Sequence, residues 1–212
     1  MLGLSALALL ACSPARPPAA AAEDPHDAAP LTPDTSPIGL RRSIVADEYF
    51  WLRAKALEGE VPAPFEDALA AMRSLRADLA TDPTAWEDLE VPLGAVPRAS
   101  DLAAAYAELP LTKDVGGKPV PLRARALRLA RAIEASEDAY RAGPFREHDV
   151  EISRAARDLM ARLIPNVETI LRAVERDLSL PGFSRPIVVT LVGDAPYPGI
   201  FAADARGRAT AS

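Results

Sequence analysis

Few residues in this chain could do chemistry. It contains one cysteine, Cys12, and two histidines, His26 and His148. A single cysteine excludes an internal disulfide framework and any multi-cysteine metal site. Two histidines leave little for metal binding or acid–base work. The one compact titratable cluster is Glu147, His148 and Glu151. His148 and Glu151 are three residues apart and therefore neighbours on one helix face, which is half of a helical carboxylate–histidine metal site. The other half is missing. His26 lies between Pro25 and Asp27 in a proline-rich stretch, and no distant carboxylate pair stands out. Acidic residues in a first helical turn also complement the helix dipole, so Glu147, Asp149 and Glu151 have a plain structural reason to be there, and that reading is the stronger. His148 and Glu151 remain as the metal candidates; no catalytic residue and no cofactor is assigned. Gly116-Gly117-Lys118 could cradle a phosphate, but it lacks the upstream glycine and the following Ser/Thr of a P-loop and reads as a turn. No Gly-x-Ser-x-Gly elbow, Gly-x-Gly-x-x-Gly loop or His-Glu-x-x-His helix occurs.

The 212 residues suit one domain and a small second unit at most. A formal net charge of -6 argues against nucleic acid as an electrostatic partner. Only Lys55, Lys113 and Lys118 are lysines. The arginine, alanine and proline bias is that of a GC-rich genome, not of selection for arginine chemistry. Arg123, Arg125, Arg128 and Arg131 line one side of a helix and invite an anionic partner; the same helix continues with Glu134, Glu137 and Asp138, so a solvated face is the better reading.

Cys12 draws its meaning from its position. Leu2 to Ala11 is an unbroken run of small and apolar residues, and Cys12 closes it. Ten helical residues rise only about 15 Å, half of a hydrocarbon core of about 30 Å, so the run has the length of a signal-peptide core and not of a membrane span. Its end, Leu9-Leu10-Ala11-Cys12, resembles the lipobox of bacterial lipoproteins. That resemblance implies a diacylglycerol-modified thiol on Cys12, cleavage of the signal peptide 1–11 and acylation of the new amino terminus. Ser13 after the cysteine favours the outer over the inner membrane, under the sorting pattern of enterobacterial lipoproteins. No Lys or Arg precedes the run, although a positive segment is expected there; the expectation is either a true start upstream of Met1 or a chain truncated at the front. Residues 13–37 carry seven prolines among alanines and small polar residues. With few donors and almost nothing apolar to bury, residues 12–37 read as the lipidated cysteine and a disordered spacer. Such a coil reaches roughly 25–30 Å.

From residue 38 the period is helical. Val45, Tyr49, Leu52 and Ala56 lie on one face of a helix over 43–58, and the consecutive Tyr49, Phe50 and Trp51 cannot all share it. A second helix runs over 64–80. Thr81-Asp82-Pro83 reads as a breaker, 84–98 as a loop, and Ser100 as the N-cap of a short helix closed by Pro110. Leu122, Ala126, Leu129, Ile133 and Tyr140 form the stripe of a long helix, which Gly143-Pro144 breaks. A last helix over 146–178 is either kinked by Pro165 or restarted there.

After residue 182 the period changes. Ile187 to Val192 is a β-branched run of strand length, Ile200 to Ala203 a returning strand, and a third strand begins at Arg208. The expected fold is mainly α: a helical, bundle-like domain over 38–182 with a small C-terminal β hairpin in 183–212. Ending on unclosed strands points to a chain that continues beyond Ser212, as the start of an α+β domain. The order from Arg185 to Asp194, then Pro198 to Ala203, resembles the lead-in to the catalytic core of zincin-like metallopeptidases, without any of that family's metal ligands. The expected function is a lipid-anchored protein of the bacterial envelope, a helical binding or structural module held to the membrane through Cys12. The alternative is the front part of a tethered zincin-like metallopeptidase whose catalytic residues lie beyond Ser212.

Overall fold

A computed structural model describes residues 7–12, 38–58, 62–79, 82–94, 96–177, 187–193 and 199–203. The spacer over 13–37, with His26, and the third strand expected from Arg208 lie outside the described residues.

Helix α1, Ile44–Lys55, is capped by Ser43, whose side chain accepts from the Ala46 N–H at 3.2 Å. Every residue from Ile44 to Leu52 is buried. The helix therefore has no wet face over that span, and the one-stripe expectation is corrected: α1 is a central helix with neighbours on all sides. That resolves the aromatic triplet. Tyr49 meets Phe50 edge to face at 5.3 Å, and Trp51 meets Phe65 at 4.7 Å.

Around α1 pack α2, Glu66–Leu79, and α5, Leu122–Ala142. The expected stripe of α5 is the buried one: Leu122, Ala126, Leu129, Ile133 and Tyr140 are all fully enclosed. The segment expected as a loop over 84–98 holds instead α3, Pro83–Glu90, and a 3-10 turn, Val91–Gly94. Asp82 and Pro83 start this helix. The Asp82 carboxylate accepts from the Thr84 and Ala85 N–H groups, and Pro83 fills the first position, where no N–H is needed. Helix α4, Ala99–Ala107, begins after Arg98, so Ser100 lies inside it and is not its cap. Strands β3, Lys113–Val115, and β4, Lys118–Val120, form a hairpin. Gly116 (φ 60°) and Gly117 (φ 82°) are its two turn residues, the left-handed pair that tight hairpins require.

Helix α6, Pro144–Leu163, follows α5 after the single residue Gly143. A 3-10 turn over Ile164–Asn166 then separates α6 from α7, Val167–Asp177. The interruption falls at Pro165, as expected.

The strands do not form the terminal hairpin of the sequence reading. Strand β1, Leu7–Cys12, comes from the apolar run; β2, Ile38–Arg42, precedes α1; β5, Ile187–Val192, and β6, Gly199–Ala203, come from the C-terminal part. Their order is β2-β5-β1-β6, so β1 lies between the two C-terminal strands. β5 is parallel to β2 and antiparallel to β1, and β6 is parallel to β1. The sheet thus crosses the boundary expected near residue 182. β5 is buried on both faces. Val189 and Leu191 join Leu40, Ile152, Ala156 and Val167 in a small core between sheet, α6 and α7. Val192 joins the large core built by α1 to α5 and Phe145. Burial on both faces is what a near-continuous apolar run signals. The fold is mainly α, with seven α-helices among the described residues.

Candidate functional site

The polar groups that the fold gathers lie where α1, α5, α6 and the end of β5 meet. Asp47, in the first turn of α1, is fully buried. Its Oδ2 accepts from the Tyr140 hydroxyl at 2.7 Å and from His148 Nδ1 at 2.9 Å. Its Oδ1 accepts from the Gly193 N–H at 2.5 Å. A carboxylate can only accept, so the proton of the imidazole sits on Nδ1. Tyr140 Oη and His148 Nδ1 are themselves 3.2 Å apart. Four elements are therefore fastened to one carboxylate, and three hydrogen bonds offset the cost of burying it.

The close approach has a steric signature. A Cβ added to Gly193 would lie 2.6 Å from His148 Cγ. Only glycine lets the chain leave β5 that close to the imidazole.

Next to Asp47, Glu48 points into the same interior and is also fully buried. Burial pushes its carboxyl up to about 8, and the neighbouring Glu137 and Asp47 push the same way, against the hydrogen bond with Ser136. At neutral pH Glu48 is therefore protonated. The Ser136 hydroxyl stands 2.6 Å from Glu48 Oε1 and 2.9 Å from the Ala132 carbonyl oxygen. Ser136 Oγ donates to Glu48 Oε1, the contact that opposes the rise. The second carboxyl oxygen, Oε2, has no hydrogen-bond partner among the described residues.

A second polar seam holds the sheet. Arg41 Nε donates to Thr190 Oγ1 at 2.9 Å across the β2–β5 ladder, and the same guanidinium reaches the Gly94 carbonyl oxygen. Burial lowers its pKa. Arg42 pairs with Asp149 of α6. Arg53 of α1 pairs with the fully buried Glu90 and lies 4.1 Å over the Trp86 ring.

The two metal candidates, His148 and Glu151, point to different surroundings. His148 turns inward to Asp47, while Glu147 and Glu151 are exposed. Among the described residues no group of three His, Cys, Asp or Glu could hold a metal ion. The helical spacing was right, but the helix presents His148 to the core and Glu151 to water. Asp47, Tyr140 and Gly193 were not foreseen, because they come together from positions 93 to 146 residues apart. One local signal existed: Asp47 and Glu48 interrupt an otherwise apolar stretch that turns out to be wholly interior.

Of Arg123, Arg125, Arg128 and Arg131 on α5, the first two are committed within the chain. Arg123 donates to the Leu109 carbonyl oxygen at 2.5 Å, and Arg125 pairs with Asp78 at 3.0 Å. Gly116-Gly117-Lys118 is a hairpin turn, as read. Cys12 is the last residue of β1, level with Ile187 on one side and Ala203 on the other.

Chemically, the Asp47–His148–Tyr140 group has the parts of a proton relay. Asp47, Glu48 and Tyr140 are completely enclosed, whereas the His148 side chain keeps 15% of its surface exposed. The arrangement acts as a clamp between helices and sheet. No family model, curated protein or solved structure matches the chain.

Proposed function

We propose that this is a lipid-anchored protein of the bacterial envelope, a helical binding or structural module tethered through Cys12. The observation that carries the reading is the position of the one cysteine: it closes the apolar run Leu2 to Ala11 and precedes a proline-rich stretch. No helix among the described residues is long and apolar enough to cross a membrane; in this reading a lipid on Cys12 is the attachment. Acyl chains at about 0.8 kcal/mol per buried methylene, two or more together, hold a protein at a bilayer stably. Ser13 favours the outer membrane.

Cleavage before Cys12 would remove Leu7 to Ala11, most of β1. The helical body tolerates that loss, since its core is built from Ile44 to Phe145 together with Val192. The three hydrogen bonds on Asp47, which fasten α5, α6 and the end of β5 to α1, support a structural role for that group. Metabolic labelling with palmitate tests the anchor: the wild-type chain takes up label and Cys12→Ser does not. Label persisting in Cys12→Ser, or absent from the wild type, would refute it. Fractionation of the labelled protein between inner and outer membranes tests the role of Ser13.

A further inference from the structure

β1 is the partner of two strands at once, and the register makes its removal consequential. Ala8 lies level with Leu191 of β5 and Gly199 of β6; Leu9 with Thr190 and Ile200; Leu10 with Val189 and Phe201; Ala11 with Val188 and Ala202. β5 runs antiparallel to β1 and β6 parallel to it, so β5 and β6 are antiparallel to each other. We propose that cleavage before Cys12 lets β6 close directly onto β5, changing the sheet order from β2-β5-β1-β6 to β2-β5-β6. The proposal rests on the reading of residues 1–11 as a removable signal.

Three features carry it. With β1 gone, β5 keeps β2 on one side and presents a row of unpaired N–H and C=O groups on the other, and β6 has no other strand partner among the described residues. Unpaired ladders are costly when buried and adhesive when exposed. A sideways shift of β6 by one strand spacing, about 4.8 Å, brings Leu191 opposite Gly199, Thr190 opposite Ile200 and Val188 opposite Ala202. No slip along the strand is needed. Residues level across a ladder point to the same face, so the shift also keeps each β6 residue on the face of the sheet it already occupies. Finally, the two strands are already joined through residues 193–198, so the closing strand is supplied at the high effective concentration of a tether. A strand from another molecule would have to outcompete it.

Residues 7–11 and β6 are thus alternative occupants of one edge of β5. Keeping the signal holds the edge for β1; removing it yields the β5–β6 hairpin.

Paired cysteines at Val188 and Ala202 test this. In the uncut chain these positions flank Ala11 and stand two strand spacings apart, about 9.5 Å, beyond the Cα separation that a disulfide bridges. In the closed hairpin they are directly opposed at about 4.5–5.5 Å. The double variant Val188→Cys, Ala202→Cys is made in the processed, lipidated chain, whose Cys12 thiol is blocked, and in the Cys12→Ser chain, which stays uncut. The expected result is an intramolecular disulfide in the first and none in the second. A further Cys12→Ser chain carrying Leu10→Cys and Val189→Cys should cross-link, which verifies β1 in place. No cross-link in the processed chain overturns the proposal, as does a cross-link in both, or a cross-link between molecules in place of one within them. Unchanged hydrogen-exchange protection of α5 certifies that each variant is folded. If intact mass shows that the wild type keeps residues 1–11, the anchor reading fails separately; a chain made to start at Ser13 then decides the strand exchange alone, by the same cross-link.

Discussion

The helical body and the sheet beside it are held by different means. In the body, α1 is surrounded, and aromatic side chains fill the space: Tyr49, Phe50, Trp51, Phe65 and Tyr140 touch one another in edge-to-face and tilted pairs. Its elements follow one another in sequence, from α1 to the start of α6. The sheet gathers strands from residues 7–12, 38–42 and 187–203. Its small core is aliphatic, Leu40, Ile152, Ala156, Val167, Val189 and Leu191, and polar contacts attach it to the rest: Gly193 to Asp47, Arg41 to the Gly94 carbonyl oxygen, Arg42 to Asp149. The body depends on packing among near neighbours. The sheet depends on distant segments arriving at a few buried hydrogen bonds, which is the more fragile arrangement and the one that can be rearranged.

The comparison can be broken by perturbing each side. Phe50→Ala empties a fully enclosed site in the body and should cost about 3–5 kcal/mol, lowering the midpoint of urea unfolding for helices and sheet together. A loss confined to the sheet would mean that the body is not the common support. Asp47→Ala leaves a histidine, a tyrosine and a backbone N–H without their acceptor; the expected cost is about 2–4 kcal/mol. Hydrogen exchange should show the loss first in β5 and α6, with α2 and α4 last to respond.

Glu48 predicts a pH dependence whose sign follows from its raised pKa. Folding holds the proton on Glu48 up to about 8, whereas the unfolded chain releases it near the ordinary value of 4.5. Between those values the folded state binds more protons, so stability falls as pH rises from about 4.5 to 8 and levels off above. The fall should be of the order of a few kcal/mol. Denaturation midpoints measured across that window should decline in the wild type and flatten in Glu48→Gln. An equally steep decline in the variant would assign the effect to another group.

Gly193→Ala forces a methyl against His148 and should cost about 1–3 kcal/mol, read as faster exchange at the end of β5 with α2 unchanged. The smallest effect belongs to Gly117→Ala. Its added Cβ would meet nothing within 4 Å, so only the backbone conformation at φ 82° is penalised, at about 1 kcal/mol. A larger loss in thermal stability would show that the β3–β4 hairpin supports more of the body than its packing implies.

Local patterns in the sequence were readable where one neighbour decides the structure. The α5 stripe, the Gly116-Gly117 turn, the break at Pro165 and the apolar run of β5 all follow from period or from a single backbone preference. The reading failed where the environment is not local. α1 looks amphipathic in sequence, but Phe50 and Trp51 are buried by partners that no periodicity announces. Asp82-Pro83 signals either a break or a helix start, and the capping hydrogen bonds to Thr84 and Ala85 settle it as a start. Ile38–Arg42 is too short and too mixed to declare itself a strand. The Asp47–His148 contact spans 101 residues, and a polar pair at that distance leaves no trace in spacing. His148 was singled out for its neighbour Glu151, whereas its partner is Asp47.

The anchor is the claim on which the functional account turns, and the intact mass of the protein extracted from membranes tests it most directly. The account predicts a chain that begins at Cys12, lacks residues 1–11 and carries the added mass of a diacylglyceryl group on the thiol and an acyl group on the amino terminus. A chain that retains Leu7 to Ala11, with a free thiol at Cys12, would contradict it.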